Sequence, residues 1–186
     1  MKIANIAKNT SYFTLALILQ KVISFTYFTI YARQLGPADL GKYYFALSMT
    51  TVFSLAVDLG VVNLITREIA KEQTKARELL AAGLGLKIIL AVATSALLGL
   101  KIIITGYDPL IAGLIMVAGV SMLMDAFTAL LFGISRACHN LKYESVVAVA
   151  SQAITLVISL LILKLNWGLV ALMWAQVACP TRFLNW

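Results

Sequence analysis

The chain has 186 residues, 61% of them hydrophobic and only 12% charged, with a mean hydropathy of +0.93. A soluble domain carries roughly 45–50% apolar and about 25% charged residues, so this composition excludes an ordinary soluble domain and favours an integral membrane protein. The net charge of +7 is spread over short polar segments instead of one patch, which makes the lysines and arginines topology signals and argues against nucleic-acid binding.

Residues 1–10, with Lys2 and Lys8, form a polar lead. The first expected span is 11–32, with Lys21 near its middle; its apolar character resumes after Gln20 and Lys21, unlike a cleavable signal peptide. Residues 33–42 read as a tight polar hairpin turn, because Gly36, Pro37 and Gly41 oppose a straight helix. The second span is 43–65, an apolar run of 23 residues broken by Asp58 and a few small polar side chains. About 20 helical residues cross a ~30 Å hydrocarbon core. Segment 66–80 interleaves Arg67, Lys71, Lys75 and Arg77 with Glu68, Glu72 and Glu78 at i,i+3 and i,i+4 distances, as in a short surface helix.

The third span is 81–104, with Lys87 and Lys101 near its two ends, where both are expected to snorkel to the headgroups. After a turn at 105–109 comes a fourth span, 110–134, with Asp125 inside. The polar loop SRACHNLKYE (135–144) leads to a fifth span, 145–163, and a turn at 164–166. A sixth apolar run opens at Trp167 and is interrupted by Cys179-Pro180-Thr181-Arg182. The expected architecture is an all-α polytopic membrane helix bundle, one transmembrane domain over 1–186 with five full spans and a partial sixth. Apolar runs longer than 18 residues favour helices over barrel strands. With the N-terminus inside, eight lysines and arginines lie on the inner side against three or four outside, so the N-terminus is expected in the cytoplasm.

Cys138 and Cys179 have no metal-ligand spacing, and His139 is the only histidine, so no metal and no cofactor is expected. No phosphate-cradling Gly-rich loop, Ser-His-Asp set or paired-carboxylate arrangement is present in the sequence. The chain does not read as an enzyme. Work on a solute must then come from an ion gradient, the membrane potential or downstream consumption of the product.

Three ionisable side chains fall deep inside expected spans: Lys21, Asp58 and Asp125. A charge at the bilayer centre costs ~2.5–3.5 kcal/mol on insertion scales and marks a functional candidate. At 1.5 Å of rise per residue all three lie at similar depth, and they share one cavity if spans one, two and four face each other. Lys21 then either pairs with an acid and pins two helices, or faces water as a cation for an anionic ligand. Asp58 and Asp125 read as charge-balancing or cation-coupling groups, and Asp58 also as a structural helix-end residue. Gln20, Tyr27, Tyr31, Asn63 and Gln152 add hydrogen bonds if they face the cavity, although aromatics at helical spacing more commonly pack or face lipid. Arg33, Arg67, Arg136 and Lys142 read as interfacial anchors, and His139 as solvated.

The pattern LGP-x-x-x-G, an aromatic and small-residue helix, DLG near its end, then Arg and a basic helix resembles the polysaccharide biosynthesis flippases. Their superfamily also holds multidrug extrusion transporters and lipid II flippases. Residues 125–145, DAFTALLFGISRACHNLKYES, resemble the family's fourth span and following loop. Together the matches run from about Ala7 to Ala178 and map onto the first of two six-helix lobes around a central cavity. The resemblance implies a first lobe truncated within its sixth span, in the plasma or inner membrane. It also implies alternating-access transfer of a polyprenyl-pyrophosphate-linked oligosaccharide. Lys21 would hold the pyrophosphate; Gln20, Tyr27 and Asn63 would line the cavity; Asp58 and Asp125 would balance charge or couple to a cation. Tyr27 and Phe28 stand where the lipid II branch has a basic and acidic pair. A second lobe or a second copy is the implied partner. A cation-coupled drug extruder and a non-transporting membrane fragment remain alternatives.

Overall fold

The computed structural model describes residues 3–137 and 141–177. Cys138, His139, Cys179, the side chain of Lys142 and the interrupted end of the sixth run lie outside them. The described residues are helical without strands: α1 (Ile3–Asp58), α2 (Val61–Lys71), a 3-10 turn (Gln73–Lys75), α3 (Ala76–Thr105), α4 (Pro109–Ala137), α5 (Leu141–Lys164) and α6 (Leu169–Val177). Four stretches are long and apolar enough to cross a membrane: Thr14–Asp58, Ala76–Thr105, Pro109–Ala137 and Glu144–Lys164.

The first of these is a hairpin. Gly36 has φ 73° and ψ 171°, a region essentially restricted to glycine, and Pro37 starts the next helical limb with its φ already set. Ring pairs show the reversal directly. Tyr31 meets Tyr43 at 5.6 Å and Phe28 meets Tyr44 at 5.7 Å between centroids, whereas a straight helix would separate these positions by ~18 and ~24 Å. Both pairs centre on Gly36–Pro37. The turn is therefore tighter than the sequence suggested: helix continues on both sides of it, and Asp39 takes a hydrogen bond from Lys42 at 2.9 Å in the first turn of the new limb.

The second limb ends earlier than expected. A continuous helix over 43–65 is replaced by a break after Asp58, where Leu59 (φ 38°) and Gly60 (φ 78°) both adopt left-handed conformations. α2 then leaves as a separate amphipathic helix that buries Val61, Val62, Ile65 and Ile69. Its other face carries Arg67 and Lys71 to the surface, and the hydrogen bond from Lys71 holds the Glu68 carboxyl below its usual range. The charged segment is thus split among α2, the 3-10 turn and the start of α3, which begins at Ala76.

α4 is the centre of the bundle. Half of its spanning window is buried, against 17–28% in the other three stretches. One core cluster joins Tyr31, Tyr43 and Leu47 of α1 to Leu114 and Ile115 of α4, Leu98 of α3 and Met173 of α6. A second seats α2 on Leu130 and Ala137 of α4. The close approach of α2 has a local cause: a Cβ at Gly133 would stand 2.7 Å from Thr66 Oγ1 and 3.3 Å from Val62 Cγ1.

The first limb of α1 packs along α5 with one constant register. Gln152 Nε2 donates to Ser24 Oγ at 3.0 Å across a separation of 128 residues, and Tyr31 lies beside Ser159 at the same offset. An offset that stays constant means the two helices run parallel. The seam is polar, with Gln20, Gln152, Thr155 and Ser159 buried along it.

Candidate functional site

Asp58 is the last residue of α1, where a negative side chain adds to the negative end of the helix dipole. The structure offsets both with a cation. Lys87 Nζ lies 2.9 Å from Asp58 Oδ1, and it also donates to the Ala126 carbonyl of α4 at 2.9 Å. The Lys87 side chain is fully enclosed, while that of Asp58 keeps 26% exposure. One ammonium therefore ties α1, α3 and α4 together at the point where the backbone breaks. Beside it Val57 packs on Met122 and Ala126.

Lys87 was expected to snorkel near the end of the third span, and this is corrected. α3 starts at Ala76, so Lys87 lies ~17 Å from its N-terminus, and its side chain turns inward, fully enclosed against Asp58 and the Ala126 carbonyl. Its position inside the apolar run Leu84–Leu90 was the available signal, because an enclosed lysine must find a carboxylate.

Asp125 is buried on α4, 3% exposed, next to the residue whose carbonyl holds Lys87. The two acids thus flank one junction between α1 and α4. Lys21 does not join them. It is exposed on the first limb of α1, in an open groove of about 490 Å³ lined by Thr14, Leu17, Ile18, Val22, Phe25 and Thr26 of that same limb. Counted from the Gly36 turn, Lys21 lies ~22 Å down one limb and Asp58 ~33 Å down the other.

The remaining candidates are scattered. Gln20 is buried toward α5, and its Oε1 has no hydrogen-bond partner. Tyr27 is half-buried with its ring 5.4 Å from that of Tyr31. Asn63 is exposed on α2.

A second ion pair was not foreseen. Arg136, at the end of α4, donates through Nε to both carboxylate oxygens of Glu144 at 3.0 Å. Glu144 is fully enclosed and Arg136 is 39% exposed. The acid stands in the first turn of α5 and the guanidinium in the last turn of α4, so each complements its helix dipole. The pairing closes the segment that the sequence presented as a polar loop. Among the described residues, no group of three or more His, Cys, Asp or Glu side chains could hold a metal ion.

Among the described residues, the geometry fits a membrane bundle with two ion pairs that each enclose one partner, Asp58–Lys87 and Arg136–Glu144, and with Lys21 on an exposed face of the first limb. A family model described as polysaccharide biosynthesis protein matches residues 6–179. The chain belongs to that family. The match spans the Gly36–Pro37 turn, the Asp58-Leu59-Gly60 break and the segment around Asp125, the features that carried the resemblance in the sequence. No curated protein and no solved structure matches the chain.

Proposed function

We propose that the protein is part of a flippase that moves a lipid-linked oligosaccharide from the inner to the outer leaflet by alternating access. The observation that carries this reading is the family match over residues 6–179, joined to a lysine on the open face of the first helix. In this reading the N-terminus is cytoplasmic. Both limbs of α1, α3, α4 and α5 cross the membrane as five spans, and α6 belongs to a sixth.

Lys21 is the contact for the lipid diphosphate. It lies mid-way along a membrane-crossing limb, on a face that the bundle itself leaves uncovered. A lysine there is expensive against hydrocarbon and favourable against a diphosphate in a partly dehydrated cavity. The exposed face of the first limb is the one this lobe presents to a second lobe or second copy, and rocking of one against the other about a mid-membrane site supplies alternating access. The Asp58–Lys87 junction keeps its charges balanced inside the lobe, and Asp125, buried on α4 beside that junction, is the candidate acid for coupling to a cation.

Export of cell-surface glycan in a strain dependent on this protein tests the reading. Lys21→Ala should abolish export while the protein still inserts at normal levels, and Lys21→Arg should retain most of it. Normal export by Lys21→Ala removes the diphosphate contact. If export never depends on the protein and tolerance to amphipathic dyes does, the protein is a drug extruder instead.

A further inference from the structure

The second limb of α1 meets α2 at two residues in left-handed conformations, Leu59 at φ 38° and Gly60 at φ 78°. Glycine takes either sign of φ freely, whereas leucine is strained there. Packing does not impose the arrangement. Leu59 is 70% exposed, and a Cβ at Gly60 would find nothing within 4 Å. The backbone of this joint can therefore rotate without dislodging a neighbour, and α2 is held from either side of it. Beyond the joint, Ile65 packs on Gly83 of α3 and Val62 on Gly133 of α4. Before it stands the ammonium of Lys87, on the Asp58 carboxylate and the Ala126 carbonyl.

The two holds are coupled through α3. Gly83 and Lys87 stand at i and i+4, on one face of the helix, and helical side chains lean toward the N-terminus. Lys87 thus reaches back over the turn that Ile65 covers, so α2 shields that side of it from water. If Asp58 loses its charge, a fully enclosed ammonium is left on one carbonyl, which is strongly disfavoured. Lifting α2 off α3 gives that ammonium a route to water and lets Leu59 leave its strained conformation. The lifted helix need not meet water with its apolar face. α2 is amphipathic, so that face can pass from the bundle to the lipid surface while Arg67 and Lys71 stay outward.

We propose that Leu59–Gly60 is a hinge and the Lys87 ammonium its latch, and that neutralising Asp58 drives α2 off the bundle. Asp58 is the member of the pair that solvent reaches, at 26% exposure, so proton uptake at its carboxylate is the release. The groups around it are Lys87 from α3 and the Ala126 carbonyl from α4, with Asp125 one residue before that carbonyl. α1 carries no other charge from Tyr43 to Val57, and the first turn of α2, Val61 to Leu64, carries none. The hinge belongs to the lobe itself, whatever the lobe carries.

Double electron–electron resonance in lipid nanodiscs reads the position of α2, with spin labels at the exposed sites Ala70→Cys on α2 and Leu131→Cys on α4. Cys138 and Cys179 are changed to serine for this purpose. The wild type at neutral pH should give one narrow distance, with an open fraction below about a tenth. Asp58→Asn, neutral and of similar size, should raise the open fraction to about a half or more. Asp58→Asn/Lys87→Met should close the joint again, because no enclosed charge remains, and Lys87→Met alone should stay closed. Wild type taken to about pH 4, the ordinary carboxylate range, should open, and Lys87→Met should not. This pH comparison decides the matter even if Asp58→Asn does not fold. A second label pair, Ile103→Cys on α3 and Val146→Cys on α5, should keep its distance throughout. A closed Asp58→Asn or a wild type that ignores acid overturns the latch. An open double variant or an open Lys87→Met overturns the role of charge. Movement of the second pair along with the first means general loosening and overturns the hinge.

Discussion

The Lys87 ammonium and the Asp58 carboxylate stand 2.9 Å apart at the end of α1, and only the lysine is fully enclosed. That asymmetry fixes the order of two substitutions. Asp58→Ala leaves a buried cation with a single carbonyl partner and should destabilise the bundle by about 3–5 kcal/mol. Lys87→Ala leaves a carboxylate with access to water and should cost about 1–3 kcal/mol. Denaturant unfolding in micelles checks the order, and Asp58→Asn/Lys87→Met should lose less than Asp58→Ala alone. Equal and small losses in both single variants would mean that the junction is not a structural tie.

The Arg136–Glu144 pair makes a related prediction at the α4–α5 connection. Arg136→Ala strands an enclosed carboxylate and should cost about 2–4 kcal/mol. Arg136→Lys should recover only part of that loss, because an ammonium cannot reproduce the forked geometry toward both oxygens. Glu144→Gln should be milder than Arg136→Ala. Thermal melts of the three variants decide the matter, and an unaltered melt for Arg136→Ala would reduce the pair to an ornament of the surface.

At Gly133 the contact to α2 leaves no room for a side chain. Gly133→Val should displace α2 through Val62 and Thr66, expose the charged segment to limited proteolysis and cost about 1–3 kcal/mol. Cleavage unchanged from the wild type would show that α2 is not seated on α4.

These three sites also mark what the sequence could and could not reveal. The hairpin at Gly36–Pro37 was legible because glycine and proline restrict the backbone locally. The long apolar stretches were legible because a hydrocarbon slab demands a minimum length. The break after Asp58 was legible only in part: Asp58 reads as a helix-end residue, as the structure has it, yet the apolar run carries the expected span on to Ile65. Val61 to Ile65 are as apolar as the span before them, so hydropathy runs through the break without a mark, and only the Leu-Gly pair signals it. Lys87 was misjudged for a geometric reason: its depth depends on where α3 begins, and the charged segment hid five helical residues. Glu144 required a partner on another helix, which no local pattern announces. Lys21 stands within a stretch long and apolar enough to cross a membrane, but its separation from Asp58 depends on where the second limb ends and on which way each helix face turns, and composition encodes neither.

The constant offset between α1 and α5 can be tested by cross-linking in a background with Cys138 and Cys179 changed to serine. Ser24→Cys/Gln152→Cys and Tyr31→Cys/Ser159→Cys should both form disulfides under mild oxidation. Ser24→Cys/Ser159→Cys should not, because its cysteines are displaced by two helical turns, ~10 Å, beyond the ~7 Å limit on Cα separation. Efficient bonding of the third pair would contradict the parallel register.

The most direct measurement is the movement of a radiolabelled prenyl-diphosphate glycan across sealed proteoliposomes carrying the wild type or Lys21→Ala, read by accessibility of the glycan to an externally added glycosidase. The account expects the wild type to bring inner-leaflet glycan to the outside and Lys21→Ala to match empty vesicles, although both insert equally. Equal movement by the two proteins, or no movement by the wild type above empty vesicles, would contradict it.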